Sequence, residues 1–149
     1  MRVVEKVSAH GHGSIRATHR STFEITMDVQ VTQRGECIVA VAADSGVSGL
    51  SEELKEILRK ANSKLTIVLQ AGQESEVVEA SGSPELTFGH PRDVVVRRSS
   101  FVCNRTLAVR ANKAAKDFSR ALVKQLADPQ QRIDITLIAE ESGTAAIQE

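Results

Sequence analysis

The sequence predicts an α+β fold, in which a mainly antiparallel sheet, open or barrel-like, carries two packed α-helices. Three observations lead there. Apolar residues recur mostly with a period of two, in short runs separated by Gly, Pro and Asp or Asn. Only two segments show helical periodicity. The order is strands, helix, strands, helix, strand, without the alternation that builds a parallel sheet.

"RVVEKVSAH" reads as a first strand that ends at the glycines of "GHG". In "RATHRSTFEITMDV" the alternation is clearer. Ala17, His19, Ser21, Phe23 and Ile25 share one face, and Thr18, Arg20, Thr22, Glu24 and Thr26 the other. "QRG" then turns the chain into "ECIVAVAAD", whose continuous apolar centre suits a central strand covered on both faces. After the loop "DSGVSGLS", Ser51 caps a helix with Glu52 and Glu53 in its first turn, Arg59 and Lys60 in its last, and Leu54, Ile57, Leu58 and Ala61 facing inward. "KLTIVLQAG" and "ESEVVEAS" form a hairpin, and "SGSPELTFGHPRD" is a loop, with or without one short strand. "VVVRRSSFVCNRTLAVR" gives one or two strands with a break near "RSS". Asn112 is the expected N-cap of a long helix, "KAAKDFSRALVKQLAD", with Ala115, Phe118, Leu122 and Leu126 inside and Pro129 closing it. "RIDITLIAEE" is the last strand. Residues 1–141 form one domain, 142–149 read as a flexible tail, and no internal repeat is evident.

The chain has 149 residues, four phenylalanines and no tyrosine or tryptophan, so its core is aliphatic. The missing aromatics disfavour a platform for single-stranded nucleic acid, which stacks bases on rings. Cys37 and Cys103 follow no zinc spacing. With no signal peptide and no bilayer-length apolar run, a cytoplasmic protein with free thiols, monomeric or homodimeric and away from membranes, is expected. Net charge is zero, yet residues 92–132 hold ten basic against three acidic residues, and 36–87 hold four against nine. Such asymmetry marks an anion-binding face, or two segments that lie side by side and neutralise each other.

"ATHRSTFEIT", "RGECIVAVAAD", "GHP" and "RTLAVRANKAAKDF" together resemble the pattern of a family of small archaeal proteins grouped as a domain of unknown function. The resemblance spans roughly residues 7 to 138. Gly11 and His12 match its "GH" pair, and His19 and Glu24 lie in its "THR-TTFEIT" strand. Ser21 stands for a threonine, Glu36 for the acid of a "GDC" step, and Asn112 for an acid before "KAA". His10 and Cys103 fall outside the motifs. The resemblance implies a shared fold and an archaeal, cytoplasmic setting, with no activity, substrate or cofactor to carry over.

Candidate chemistry lies in a few polar residues. His12, His19 and His90, with Glu24 and Asp44, are the candidate catalytic groups, since imidazoles exchange protons near neutrality. They form a site only if residues 89–105 fold back to meet His12 and His19; otherwise they are surface or structural histidines. His10, His12 and His19 are the candidate metal ligands, but no metal is favoured, because Gly11 and Gly13 weaken the strand geometry and no HExxH motif is present. Arg97, Arg98 and Arg105 with Lys113, and Arg20 beside them, are the candidate anion-binding groups, guanidinium forks being suited to phosphate and carboxylate. Neither a P-loop nor GxGxxG is present, so no cofactor is predicted. Three functions are compatible: a binding protein for a phosphate-bearing small molecule or nucleic-acid backbone, which the charge asymmetry favours; a small hydrolase or isomerase with a histidine-lined pocket; and a structural or regulatory interaction module.

Overall fold

A computed structural model describes residues 1–31 and 36–141. The expected tail at 142–149 lies outside the described residues. The strands are β1 (Arg2–His10), β2 (Thr22–Thr26), β3 (Ile38–Ala40), β4 (Ser63–Ala71), β5 (Glu74–Ser81), β6 (Asp93–Arg97), β7 (Thr106–Ala108) and β8 (Arg132–Glu141). The helices are α1 (Glu52–Leu58) and α2 (Arg120–Leu126). The α+β class is as expected, with two separate four-stranded sheets in place of a closed barrel. One has the order β1-β8-β4-β5 and is antiparallel throughout. The other has the order β3-β2-β6-β7, with an antiparallel centre and parallel outer pairs.

No internal repeat is evident in the sequence, but the structure contains one. The chain runs β1-β2-β3-α1-β4 and then β5-β6-β7-α2-β8, and each strand takes the place of its counterpart across a pseudo-twofold axis. Local details repeat as well. Ala17 and Phe88, and likewise Ala42 and Arg110, have positive φ of 51–52° at equivalent turns. His10 exchanges backbone hydrogen bonds with Val41, as Ser81 does with Val109. A side-chain oxygen of Asp44 accepts from the Ser8 N–H, and that of Asn112 from the Glu79 N–H. Gly11 and Gly82 match too: a Cβ on either would run into carbonyl oxygens at the end of a helix, Leu126 and Asp128 in one half and Leu58 in the other.

This duplication explains where the sequence reading departs from the structure. Ser51 caps α1 as expected, accepting from the Leu54 N–H. Its counterpart Ser119, not Asn112, caps α2, accepting from the Leu122 N–H. Asn112 is occupied by the edge of β5, and Phe118 reaches the core from the extended cap, its ring 5.2 Å from that of Phe23. Ala61 lies beyond the end of α1 and is exposed, outside the expected inner stripe. "ECIVAVAAD" is a short edge strand, because Val41 leaves the sheet to bond with His10 at the positive-φ turn of Ala42. "VVVRRSSFVCNRTLAVR" divides into β6 and β7, with the break after Arg97.

Leu65, Ile67, Leu69, Ile133, Ile135 and Leu137 form the inner face of the first sheet, and Phe23, Ile25, Val94 and Val96 that of the second. Leu54, Leu58, Leu122 and Leu126 join them from the helices in one cluster. Each such buried side chain contributes about 1.5–3 kcal/mol.

Candidate functional site

The other face of β2 and β6 carries Thr22, Glu24 and Thr26 opposite Arg97, Val95 and Asp93. Alternation places these side chains away from the apolar core, on the face where solvent exposure is the simpler solution. Four of the six are nevertheless buried polar residues: Thr22, Glu24, Thr26 and Asp93. Groups arriving before and within β7 satisfy them.

Arg105 is the hinge of the cluster. One of its terminal nitrogens lies 3.4 Å from Glu24 Oε1 and 3.2 Å from Asp93 Oδ2. The carboxylates are 2% and 6% exposed, the guanidinium 31%. Burial alone would lower the Arg105 pKa; the charge of Glu24 and the hydrogen bond to Asp93 outweigh it and raise it. The Thr26 hydroxyl donates to Asp93 at 2.7 Å, and His90 Nε2 lies 3.9 Å from the same carboxylate.

Arg97 lies at the other end of β6. Its Nε donates to the Thr106 hydroxyl at 3.0 Å, and one terminal nitrogen to Cys103 Sγ at 3.2 Å. Its Cζ stands 5.0 Å from the centre of the Phe101 ring, a cation–π contact. Burial pushes the Cys103 thiol up, but the Arg105 backbone N–H, the Thr106 hydroxyl and the Arg97 guanidinium together bring it down to about 7. On the opposite edge Cys37 Sγ lies 3.8 Å from Glu24 Oε1.

Of the sequence candidates, the structure brings together Glu24, His90 and Arg105 around Asp93, and sets Arg97 at the far end of β6. His19 is the pseudo-twofold counterpart of His90, and both act as local caps. The Nδ1 of His19 accepts from the N–H groups of Ser21 and Thr22, and that of His90 from those of Arg92 and Asp93. Both rings therefore carry their proton on Nε2. Thr22 and Asp93 lie at opposite ends of the β2–β6 pair, four residues apart in register. At strand rise the two caps are separated by about 13 Å. His12 caps its own turn, accepting from the Ser14 N–H beside the end of α2. His10 is exposed on the edge of the first sheet. Asp44 is bound to the Ser8 backbone. Arg98 pairs with Asp117 and Lys113 with Glu76, while Arg20 is exposed. Among the described residues, no three His, Cys, Asp or Glu side chains are grouped to hold a metal ion.

Asp93, Thr26, Thr106 and Phe101 were missed. "TFEIT" and "DVVVR" both place polar residues on alternate positions, which is the signal that would have paired them. What it lacks is any sign that the face is covered. Two shallow depressions, of about 380 and 390 Å³, lie elsewhere, at equivalent places on the edges of the first sheet. They are lined around Asp44 and Asn112, and neither includes a member of the cluster.

Residues 7–140 match the family described as a domain of unknown function, DUF371. The chain belongs to that family. A DUF371 protein is also similar over most of its length to a protein of Methanocaldococcus jannaschii named uncharacterized protein MJ0206. The two are 38% identical over 127 residues, which cover 85% of this chain and 93% of the relative. The archaeal family resemblance read from the motifs is thereby established. No helix among the described residues is long and apolar enough to cross a membrane.

Proposed function

We propose that this DUF371 protein binds a phosphate-bearing anion at Arg97, on the rim of the buried polar cluster. The observation that carries the reading is the state of that guanidinium. An arginine has five N–H donors. Two of those of Arg97 go to Thr106 and Cys103, and no carboxylate among the described residues pairs with it. Arg98, Arg105 and Lys113, by contrast, are each matched to an acid. Thr106, Cys103 and Phe101 hold the Arg97 fork in place, so little side-chain entropy is lost when it binds. The excess of basic residues over 92–132 adds a favourable field.

Titration calorimetry with inorganic phosphate tests the proposal. Binding that weakens with added salt, and is lost in an Arg97→Ala protein that still unfolds cooperatively, is the expected result. Affinity unaltered by that substitution, or weaker than about 10 mM in the native protein, overturns it.

An enzymatic reading rests on one observation, the Cys103 thiol lowered to about 7 beside Arg97. The histidine-lined version has less support, because His19 and His90 cap opposite ends of one strand pair.

A further inference from the structure

The pseudo-twofold gives the molecule two versions of one surface feature, the depressions of about 380 and 390 Å³ at the edges of the first sheet. Their similar size marks them as products of the shared fold, but their linings differ. In the first half Ala42 and Asp44 follow β3; in the second Arg110 and Asn112 stand at the equivalent places after β7. Ala42 and Arg110 share a φ of 52°. Alanine suffices for that turn in one half, so the turn does not require the guanidinium that it carries in the other.

Asp44 and Asn112 serve the fold in the same way, each accepting an edge-strand N–H through one oxygen, at 3.1 and 3.0 Å. What each has left over is opposite in character. Asp44 keeps carboxylate oxygens, whereas Asn112 keeps the two N–H donors of its amide, which have no acceptor among the described residues. The Arg110 guanidinium makes one hydrogen bond, to the Gly82 carbonyl at 3.4 Å, and no carboxylate among the described residues pairs with it. In the first depression Arg132 is instead held by Asp134 at 2.9 Å. Charge follows the same division. Lys6 and Arg132 meet Asp44 and Asp134 in the first depression, a net charge of zero. Lys64 and Arg110 meet Glu79 alone in the second, a net charge of +1. Glu79 lies 3.5 Å from Lys64, which leaves Arg110 as the cation in excess.

We infer that the second depression binds a small carboxylate, held by Arg110 and the Asn112 amide. Both groups are planar and carry paired N–H donors, a geometry that the two oxygens of a carboxylate match. One carboxylate also equals the charge in excess, while a phosphate dianion would set a second negative charge against Glu79. The inference is independent of the Arg97 reading, because Arg97, Cys103 and Thr106 are not part of this lining. These groups are open to water, so binding is weak.

Nuclear magnetic resonance of the ¹⁵N-labelled protein, titrated with sodium acetate against sodium chloride at equal ionic strength, tests it. Acetate should shift the Asn112 side-chain amide and the backbone amides of Ser81 and Arg110, with half-saturation below about 100 mM. The amides of Ser8 and Asp44, in the other depression, should not respond. Arg110→Ala should abolish the response. Asn112→Asp should weaken it about tenfold or more, read at Ser81 and Arg110, because aspartate keeps the acceptor for the Glu79 N–H but brings the chemistry of the other half. Arg97→Ala should leave it unchanged. The inference is overturned by the absence of a saturable shift, by an equal effect of chloride, or by an equal response around Asp44. A response unaltered in Asn112→Asp, or lost in Arg97→Ala, overturns it as well.

Discussion

Arg105→Ala is the perturbation with the most calculable outcome. Its guanidinium stands between two carboxylates at 3.2 and 3.4 Å, and those are 6% and 2% exposed. At an effective dielectric of about 20 each attraction is about 5 kcal/mol before desolvation is subtracted. Breaking a buried ion pair from one side costs about 3–5 kcal/mol, because the charge left behind keeps its desolvation penalty. Water reaches a third of Arg105, and Asp93 keeps its hydrogen bond from Thr26, so the loss falls to about 2–3 kcal/mol. In a chain of this length that lowers the melting temperature by about 4–12 °C. Urea unfolding at neutral pH measures it. Glu24→Gln in the Arg105→Ala background should recover about half of the loss, since one of the two carboxylates that faced Arg105 then carries no charge. A single-variant effect below about 0.5 kcal/mol, or a second substitution that deepens the loss, would refute the argument that Arg105 neutralises this buried pair.

The Cys103 thiol should alkylate with a pH midpoint near 7, moving toward the ordinary thiol range in Arg97→Gln; rates of iodoacetamide labelling, with Cys37→Ser to isolate the site, measure it. Because its folded pKa is depressed, the thiolate's contribution to stability is full above the unfolded value of 9.0 and is lost as pH falls through about 7, so chemical denaturation of native and Cys103→Ser proteins should diverge in that direction. His90→Ala removes an acceptor for two backbone N–H groups and should cost about 1–2 kcal/mol, with His90→Asn recovering part of it. Ala42→Gly should stabilise the fold by up to about 1 kcal/mol, since Ala42 sits at a φ of 52° that glycine adopts without strain; thermal melting distinguishes gain from loss.

Elements with a local cause were legible in the sequence. Ser51 with its acidic first turn defined α1, and strict alternation defined β8. Asn112 misled because an Asn before an apolar period has the chemistry of a cap, and only β5, far away in sequence, claims its side chain. The repeat is hidden because the residues its halves share, such as Gly11 with Gly82, His19 with His90 and Ser51 with Ser119, are single matches scattered along the chain. Ala42 matches Arg110 and Ala17 matches Phe88 in φ, with no likeness of side chain. In the candidate site, Glu24, Arg97, Arg105 and His90 could be named from charge and type. That Glu24 would be buried rather than solvated depends on Arg105, 81 residues further along the chain, and periodicity carries no information about such a partner.

Strand exchange between the two halves bears on how the chain is made. β8 lies between β1 and β4, so an inner strand of the first sheet is made after every other strand among the described residues. Val3 pairs with Ala139 almost at the opposite end of the chain. Until β8 emerges, β1 has no neighbour in that sheet, and the apolar faces of β1 and β4 flank an empty slot. Local structure such as the β4–β5 hairpin can form during synthesis, but closure of the core waits for β8, and contacts of such sequence separation form slowly. A truncation that removes β8 would therefore cost the protein its core rather than an appendage.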